Sequence, residues 1–527
     1  MPPQIVIAPL LLALFTAIVT VPLRRYPRAQ RAVSLGGALA YLGAVALLAS
    51  RVVEQSILVY QLSSWPAPFG ITLVADALSL FMLALTGVIS LAAVAFSTRF
   101  MSGYAQRVSY HTLYHLMVVG ITGSFLTGDI FNLFVWFEVM LLSSYVLVAF
   151  YSGPEHTRAA LTYTVLNLLG SALMLLAIGG LYATVGTLNM ADMARRLANP
   201  AQFGVDPVPV LGLTVLLFCV FALKAGIVPF QFWVPAAYRA APAPVAAMLA
   251  GVVKKVGIYA IIRLYFTVFA AATLPAGLGL PGFVGNSFLS FFGPVLFVMA
   301  AGSILLGGVG AVSRRGLDGV LAYSSIGQIG FVVLPLAVAA TVPGVRALAI
   351  AAALVYTLNH GLTKSMLFLA SGTVKEAVGS VQFDSISGLA KRTPLLSIAF
   401  FLGALSLIGI PPLSGFFGKL LVFRTTAHAG AMGGRGGALA LGLSLLGAIL
   451  TIAYFSRAWN RGFWGSESEG VRTATYSPTL VAVVVALAAL LVVVGVGFDP
   501  VLRAAEAAAD IALDRQAYVD AVLGANR

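Results

Sequence analysis

The chain is poor in the groups that most soluble functions need. Only 9% of its 527 residues are charged, and it holds five histidines and one cysteine, Cys219. One cysteine excludes an intrachain disulfide framework and any cysteine cluster for zinc or iron–sulfur. No glycine-rich phosphate loop follows a strand, no metal-ligand cluster stands out, and no nucleophile has an oriented base, so neither an enzyme site nor a cofactor or metal site is expected. The formal net charge of +14 comes from basic residues scattered over short loops. That pattern lacks the continuous patch a nucleic-acid partner would require.

What is abundant is apolar sequence: 60% hydrophobic residues and a mean hydropathy of +0.99. Such a chain belongs in a bilayer, where a spanning helix needs about 20 apolar residues. The reading is an all-α polytopic membrane protein of about 14 spans. They fall near 5–22, 32–51, 72–97, 111–127, 130–150, 160–184, 208–228, 242–269, 289–312, 319–340, 346–371, 394–424, 437–459 and 477–497. The first run precedes Arg24, Arg25, Arg28 and Arg31 without a small-residue cleavage site, and it reads as a retained span.

Loops after odd-numbered spans carry most of the basic residues, among them Arg99, Arg107, Arg158, Arg239, Arg314, Arg315, Lys375, Lys391, Arg392, Arg457 and Arg461. Positive charge is retained on the cytoplasmic side, so both termini are expected on the opposite face. Two spans contain breaks, the seventh at Pro229 after Lys224 and the twelfth at Gly409-Ile410-Pro411-Pro412. Matched breaks suggest two inverted five-helix repeats, spans 4–8 and 9–13. The expected division is 1–110 for the first three helices, 111–270 and 289–460 for the repeats, and 461–527 for helix 14 and a tail. In that tail Glu506, Asp510 and Asp514 recur every four residues, which predicts a short surface helix over 501–527.

A charge at mid-bilayer costs about 3 kcal/mol, so charges inside spans call for partners, water or a function. Glu138 lies among apolar neighbours in the fifth span, and Lys224 is its expected partner in a charge switch. Of the adjacent Lys254 and Lys255, spacing selects Lys255 for the polar interior, because Lys255, Tyr259 and Arg263 form a stripe every four residues. Lys254 is left to snorkel or to bind a backbone carbonyl. Tyr356, His360 and Lys364 repeat that spacing in the eleventh span, with Asn359 beside them. A histidine one turn from a lysine can relay protons near neutral pH. Lys419 follows the twelfth-span break and is the candidate terminal carrier. Asp129 reads more as a helix cap than as a carrier, while Ser324, Ser325 and Gln328 serve equally well as water holders or as helix-packing residues. Together these groups outline a proton wire in which a charge moving at Glu138 and Lys224 biases the lysines beyond.

Four stretches carry a family resemblance: 128–138 (GDIFNLFVWFE), 321–330 (LAYSSIGQIG), 359–364 (NHGLTK) and 409–416 (GIPPLSGF). Over about residues 70 to 460 the chain resembles the antiporter-like subunits shared by Mrp-type multisubunit cation/proton antiporters and respiratory complex I. The wording of 131–138 and the length are most similar to the MrpD branch of that family. By that resemblance Glu138 and Lys224 match the family's pair, Lys255 its central lysine, Lys364 with His360 its linking site and Lys419 its second-half lysine. Gln328 departs from the pattern, since many relatives place a histidine there. The resemblance implies sodium/proton exchange in a bacterial or archaeal inner membrane, with several smaller membrane subunits as partners, lipid around them, and protons and sodium as the moving ions. A proton-pumping subunit of complex I is the alternative, and a membrane scaffold with static charge pairs is a third reading.

Overall fold

The computed structural model describes residues 3–151, 153–275, 286–432 and 435–524. The fold is nearly all helical. In chain order the long helices are α1 (Ala8–Thr20), α2 (Pro27–Gln55), α3 (Ala77–Phe100), α4 (Tyr110–Leu126), α5 (Ile130–Val148), α6 (Pro154–Val185) and α7 (Pro207–Ala225). There follow α8 (Ala243–Val268), α9 (Phe288–Val312), α10 (Leu317–Thr341) and α11 (Arg346–Val378). The twelfth span is two helices, α12a (Pro394–Ile408) and α12b (Ser414–Ala431), and α13 (Arg435–Ala458) and α14 (Pro478–Val496) come after it.

Among the described residues, eleven helices are long and apolar enough to cross a membrane, or twelve if the bent pair Phe383–Arg392 and Pro394–Ile408 counts as one span. Over the other three of the expected spans lie helices outside the eleven: Gln4–Thr20, the 17-residue α4, and the pair α12a and α12b. The expected division near 270–289 lies partly outside the described residues.

One element has no counterpart in the hydropathy pattern. Strands β1 (Ile57–Gln61) and β2 (Thr72–Asp76) pair antiparallel, with Ile57 opposite Asp76 and Gln61 opposite Thr72. Both are rich in β-branched and aromatic residues, which suit a pleated surface. The third span therefore starts at Ala77 and not at residue 72: Asp76 ends the strand and caps α3, accepting from the Ser79 amide at 2.9 Å.

The interior is made by α8 and α10. The most apolar stretch of α8 is wholly buried and that of α10 is 94% buried, whereas those of α2, α13 and α14 are one-third buried or less. The outer helices put leucine and valine towards lipid, and the two inner ones can hold groups that lipid would not tolerate.

A short pairing recurs at equivalent places. Before α5, the Ile130 amide donates to the Leu188 carbonyl at 2.9 Å and the Met190 amide to the Gly128 carbonyl at 2.9 Å. Before α10, the Leu317 amide donates to the Val381 carbonyl at 3.0 Å and the Phe383 amide to the Arg315 carbonyl at 2.9 Å. Both α7 and α12a end on a left-handed glycine, Gly226 (φ 64°) and Gly409 (φ 97°), which stops the helix where a Cβ would be strained.

The tail is less superficial than its charge pattern predicts. It forms α15 (Asp499–Leu513) and α16 (Arg515–Gly524), while 525–527 lie outside the described residues. Ala505, Ala508, Ala509 and Ala512 are buried where α15 packs on α3 and α11, and Glu506 and Asp510 face outwards. The alanine face decides the docking. The spacing of the carboxylates marks only the opposite, outer face.

Candidate proton path

Helix α5 brings the first group. Asp129 is its cap, accepting from the Asn132 amide at 2.7 Å, and burial pushes this carboxyl up to about 6. Further along α5, Glu138 is half-buried and accepts a short hydrogen bond from the Ser171 hydroxyl of α6. Lys224 sits two residues before the Gly226 stop. Its Nζ donates to the same Ser171 Oγ at 2.8 Å and to the Asn167 carbonyl at 2.8 Å. Glu138 and Lys224 are thus joined through one hydroxyl without direct ion-pair contact. Sequence reasoning missed this bridge, although Asn167 and Ser171, four apart in an apolar helix, were its signal.

The next groups lie on α8, which approaches the end of α7 closely at Gly257. A Cβ there would come within 2.7 Å of the Phe221 carbonyl oxygen and 2.9 Å of the Ala225 nitrogen. Lys254 and Lys255 are both fully buried. A π-helical turn at Leu249–Val253 precedes them, and Lys255 Nζ bonds back to the Ala250 carbonyl, five residues earlier on its own helix. Lys254 Nζ crosses to α10 and donates to the Ser325 carbonyl at 2.8 Å. Lys254 thus takes the second of the two roles that its spacing left open, a bond to a backbone carbonyl, and makes that bond on a neighbouring helix.

One turn earlier on α10, the Leu321 carbonyl accepts from Lys364 of α11 at 3.0 Å, and Lys364 also makes a short bond to Ser324 Oγ. Lys254 and Lys364 therefore grip the same turn of α10. Ser324 meets a lysine with its side chain, whereas Ser325 does so with its carbonyl and directs its hydroxyl to Leu321 O at 3.0 Å. His360 is fully buried within electrostatic reach of Lys255, Lys254 and Lys364, and neither ring nitrogen bonds to a described protein atom.

Asn359 ties the broken span together. Its Oδ1 accepts from Ser406 on α12a at 2.7 Å and from Ser414 on α12b at 2.9 Å. Glycine is required at 415, where a Cβ would stand 1.7 Å from the Ser406 carbonyl oxygen. Across the break, Lys419 Nζ donates to the Ile408 carbonyl at 3.0 Å and lies 5.0 Å from the Phe331 ring centroid. Gln328 and Tyr356 are joined by a short hydrogen bond next to that ring.

Tyr259 and Arg263 continue the α8 stripe as anchors. The Tyr259 hydroxyl donates to the Phe125 carbonyl at 2.8 Å, and Arg263 Nη2 contacts both Asp76 oxygens at 2.7 and 2.6 Å. Tyr518 of α16 stacks over the guanidinium at 5.1 Å.

A polytopic helical protein with a row of ionisable side chains on its buried helices, set between two broken spans, belongs to the ion-translocating class of membrane proteins. The chain belongs to the NADH:quinone oxidoreductase/Mrp antiporter transmembrane family, whose model matches residues 127–435. It is 33% identical to the D-type subunit of the Na(+)/H(+) antiporter of Alkalihalophilus pseudofirmus over 99% of both chains. It is 31% identical to the subunit of the same name in Bacillus subtilis over 98% of this chain and 99% of that one. The N-type subunit of the NADH-quinone oxidoreductase of Desulforudis audaxviator is 35% identical over 90% of this chain and 88% of its own. Among solved structures, a chain of the Mrp complex from Dietzia sp. DQ12-45-1b superposes with a TM-score of 0.84 at 27% identity, covering 99% of each. A chain of the archaeal membrane-bound sulfane sulfur reductase gives 0.87 at 26% identity, covering 99% of this chain and 100% of that one.

Proposed function

We propose that this chain is a proton-conducting subunit of a multisubunit sodium/proton antiporter in a bacterial or archaeal cell membrane, a secondary transporter with no catalytic site of its own. The observation that carries the reading is the row of buried amines on α7, α8 and α11, begun by the Glu138–Ser171–Lys224 bridge. Glu138 and Lys224 act as the switch, and Lys254, Lys255, His360 and Lys364 as the central row. Lys419 is the terminal group beside the second break.

A static set of ion pairs would place a carboxylate beside each lysine. Instead Lys254, Lys255, Lys364 and Lys419 bond to carbonyls and hydroxyls. An amine held by neutral acceptors can pass its proton on without leaving a carboxylate unpaired, which a proton carrier needs. The paired glycine stops and the recurrent pairing before α5 and α10 support two repeats, with units near 111–270 and 289–460. Both termini lie on the non-cytoplasmic side in this reading, with the arginine-rich loops inside.

On that inner side a charged crevice of about 360 Å³ is lined by Glu155, His156, Arg158, Arg239, Asp318 and Lys375, and it offers protons a way towards α11. Partner subunits are expected because Glu138 lies on a face of α5 where Phe131, Leu142 and Val146 are 43%, 56% and 51% exposed. Lipid against that carboxylate would be costly, whereas a neighbouring helix with a polar group would not. The complex I reading uses the same charges and is favoured by the N-type relative. A sodium pulse applied to vesicles holding the complete complex, with no electron donor, separates the two. Proton movement is expected for the antiporter, and dependence on quinone reduction would overturn it.

A further inference from the structure

A cavity of about 760 Å³ opens between α15 and the helices α2, α3 and α11. Its walls are apolar, with Val53 of α2, Phe81 of α3, and Ala504 and Ile511 of α15 among them. Val53 is 86% exposed, so the cavity is open to lipid along α2. It also reaches Leu358, which is the one residue of α11 between 349 and 374 that is not buried. The only charged side chains lining the cavity are Asp510 and Asp514, both exposed near the end of α15, and no lysine or arginine lines it. Asp514 accepts from the Ala517 amide at 2.9 Å through one oxygen, as the cap of α16. No ion pair among the described residues includes either carboxylate.

We infer that this cavity binds one ethanolamine phospholipid from the bilayer, its acyl chain against Leu358 and Phe81 and its ammonium at Asp510 and Asp514. The volume lies within the range of about 300–1,000 Å³ that takes a single small molecule. A spanning helix, about 30 Å long and 10 Å across, needs far more room. Inside a membrane an apolar wall gives no preference for one acyl chain over another, because the surrounding lipid is equally apolar. Selection therefore falls to the headgroup. An ammonium brings three N–H donors to two carboxylates and makes charge-assisted hydrogen bonds with them. A glycerol headgroup brings no cation, and its phosphate would meet charge of its own sign. An acyl chain over Leu358 also keeps water from the stretch of α11 that bears Asn359 and His360.

This inference stands apart from the proton path and is tested on the occupant itself. A benzophenone amino acid in place of Val53, with the complete complex in vesicles of ethanolamine and glycerol phospholipids in equal parts, is irradiated, and the mass of the adduct is read. Ethanolamine lipid is expected to exceed glycerol lipid by about fivefold, the upper end of what an exposed ion pair contributes. The same probe in place of Leu47, which is 54% exposed on α2 outside the cavity, is expected to report equal amounts. Asp510→Asn with Asp514→Asn, in which asparagine still caps α16, is expected to bring the ratio at position 53 down to that at position 47. Equal amounts of the two lipids at position 53 would overturn the inference. So would an excess that survives the double substitution, or an adduct with a partner subunit in place of lipid.

Discussion

Lys254→Met is expected to reduce sodium-driven proton flux by about a hundredfold, the lower end of what a positioned proton-transfer group contributes. Lys254 is the side chain that crosses from α8 to α10, and it does so onto the turn that Lys364 also grips. Lys364→Met should fail to the same degree. Lys254→Arg separates chemistry from packing, because a guanidinium can still bond to the Ser325 carbonyl but does not release its proton. Flux should be lost in Lys254→Arg while the protein stays as thermally stable as wild type. Retained flux in that variant would assign Lys254 to packing alone.

The second large effect concerns stability. Asp76 and Arg263 form an ion pair, one guanidinium nitrogen on both carboxylate oxygens, that is almost wholly buried, at side-chain exposures of 0% and 2%. Removing one partner leaves an uncompensated charge in the interior, with a loss of about 3–5 kcal/mol. Asp76→Ala carries an additional cost, because Asp76 also caps α3 through the Ser79 amide. Thermal unfolding in detergent is expected to show Arg263→Met and Asp76→Ala each strongly destabilised. The double variant should be less destabilised than the two effects added, by the coupling a double-mutant cycle isolates. Additive losses would mean that the pair contributes nothing as a pair.

Much of this arrangement is legible in the order of residues alone. The spans follow from apolar runs, and the helix breaks from Gly226 to Pro229 and Gly409 to Pro412. The charges inside spans stand out because a membrane tolerates so few. What escapes the sequence escapes for physical reasons. Ser171 is one serine among many, and only the approach of α6 to α5 and α7 makes it a bridge. For Lys254 the sequence offers a backbone carbonyl as partner, but that this is the Ser325 carbonyl, 71 residues away, depends on how α8 meets α10. Tyr454 joins the Gln328 contacts from α13, 126 residues away in the chain. The β1–β2 hairpin is hidden because an apolar strand beside an apolar helix leaves no change in hydropathy at their junction.

The central claim is that protons move along these buried groups and that Glu138 with Lys224 starts the movement. The most direct test is proton flux driven by sodium and pH gradients in vesicles holding the complete complex. Wild type would be compared with Glu138→Gln and Lys224→Ala at matched assembly. Loss of flux in both variants, with the complex intact, is the predicted result. Flux at the wild-type level in either variant would contradict the account and leave the pair as a static feature of the fold.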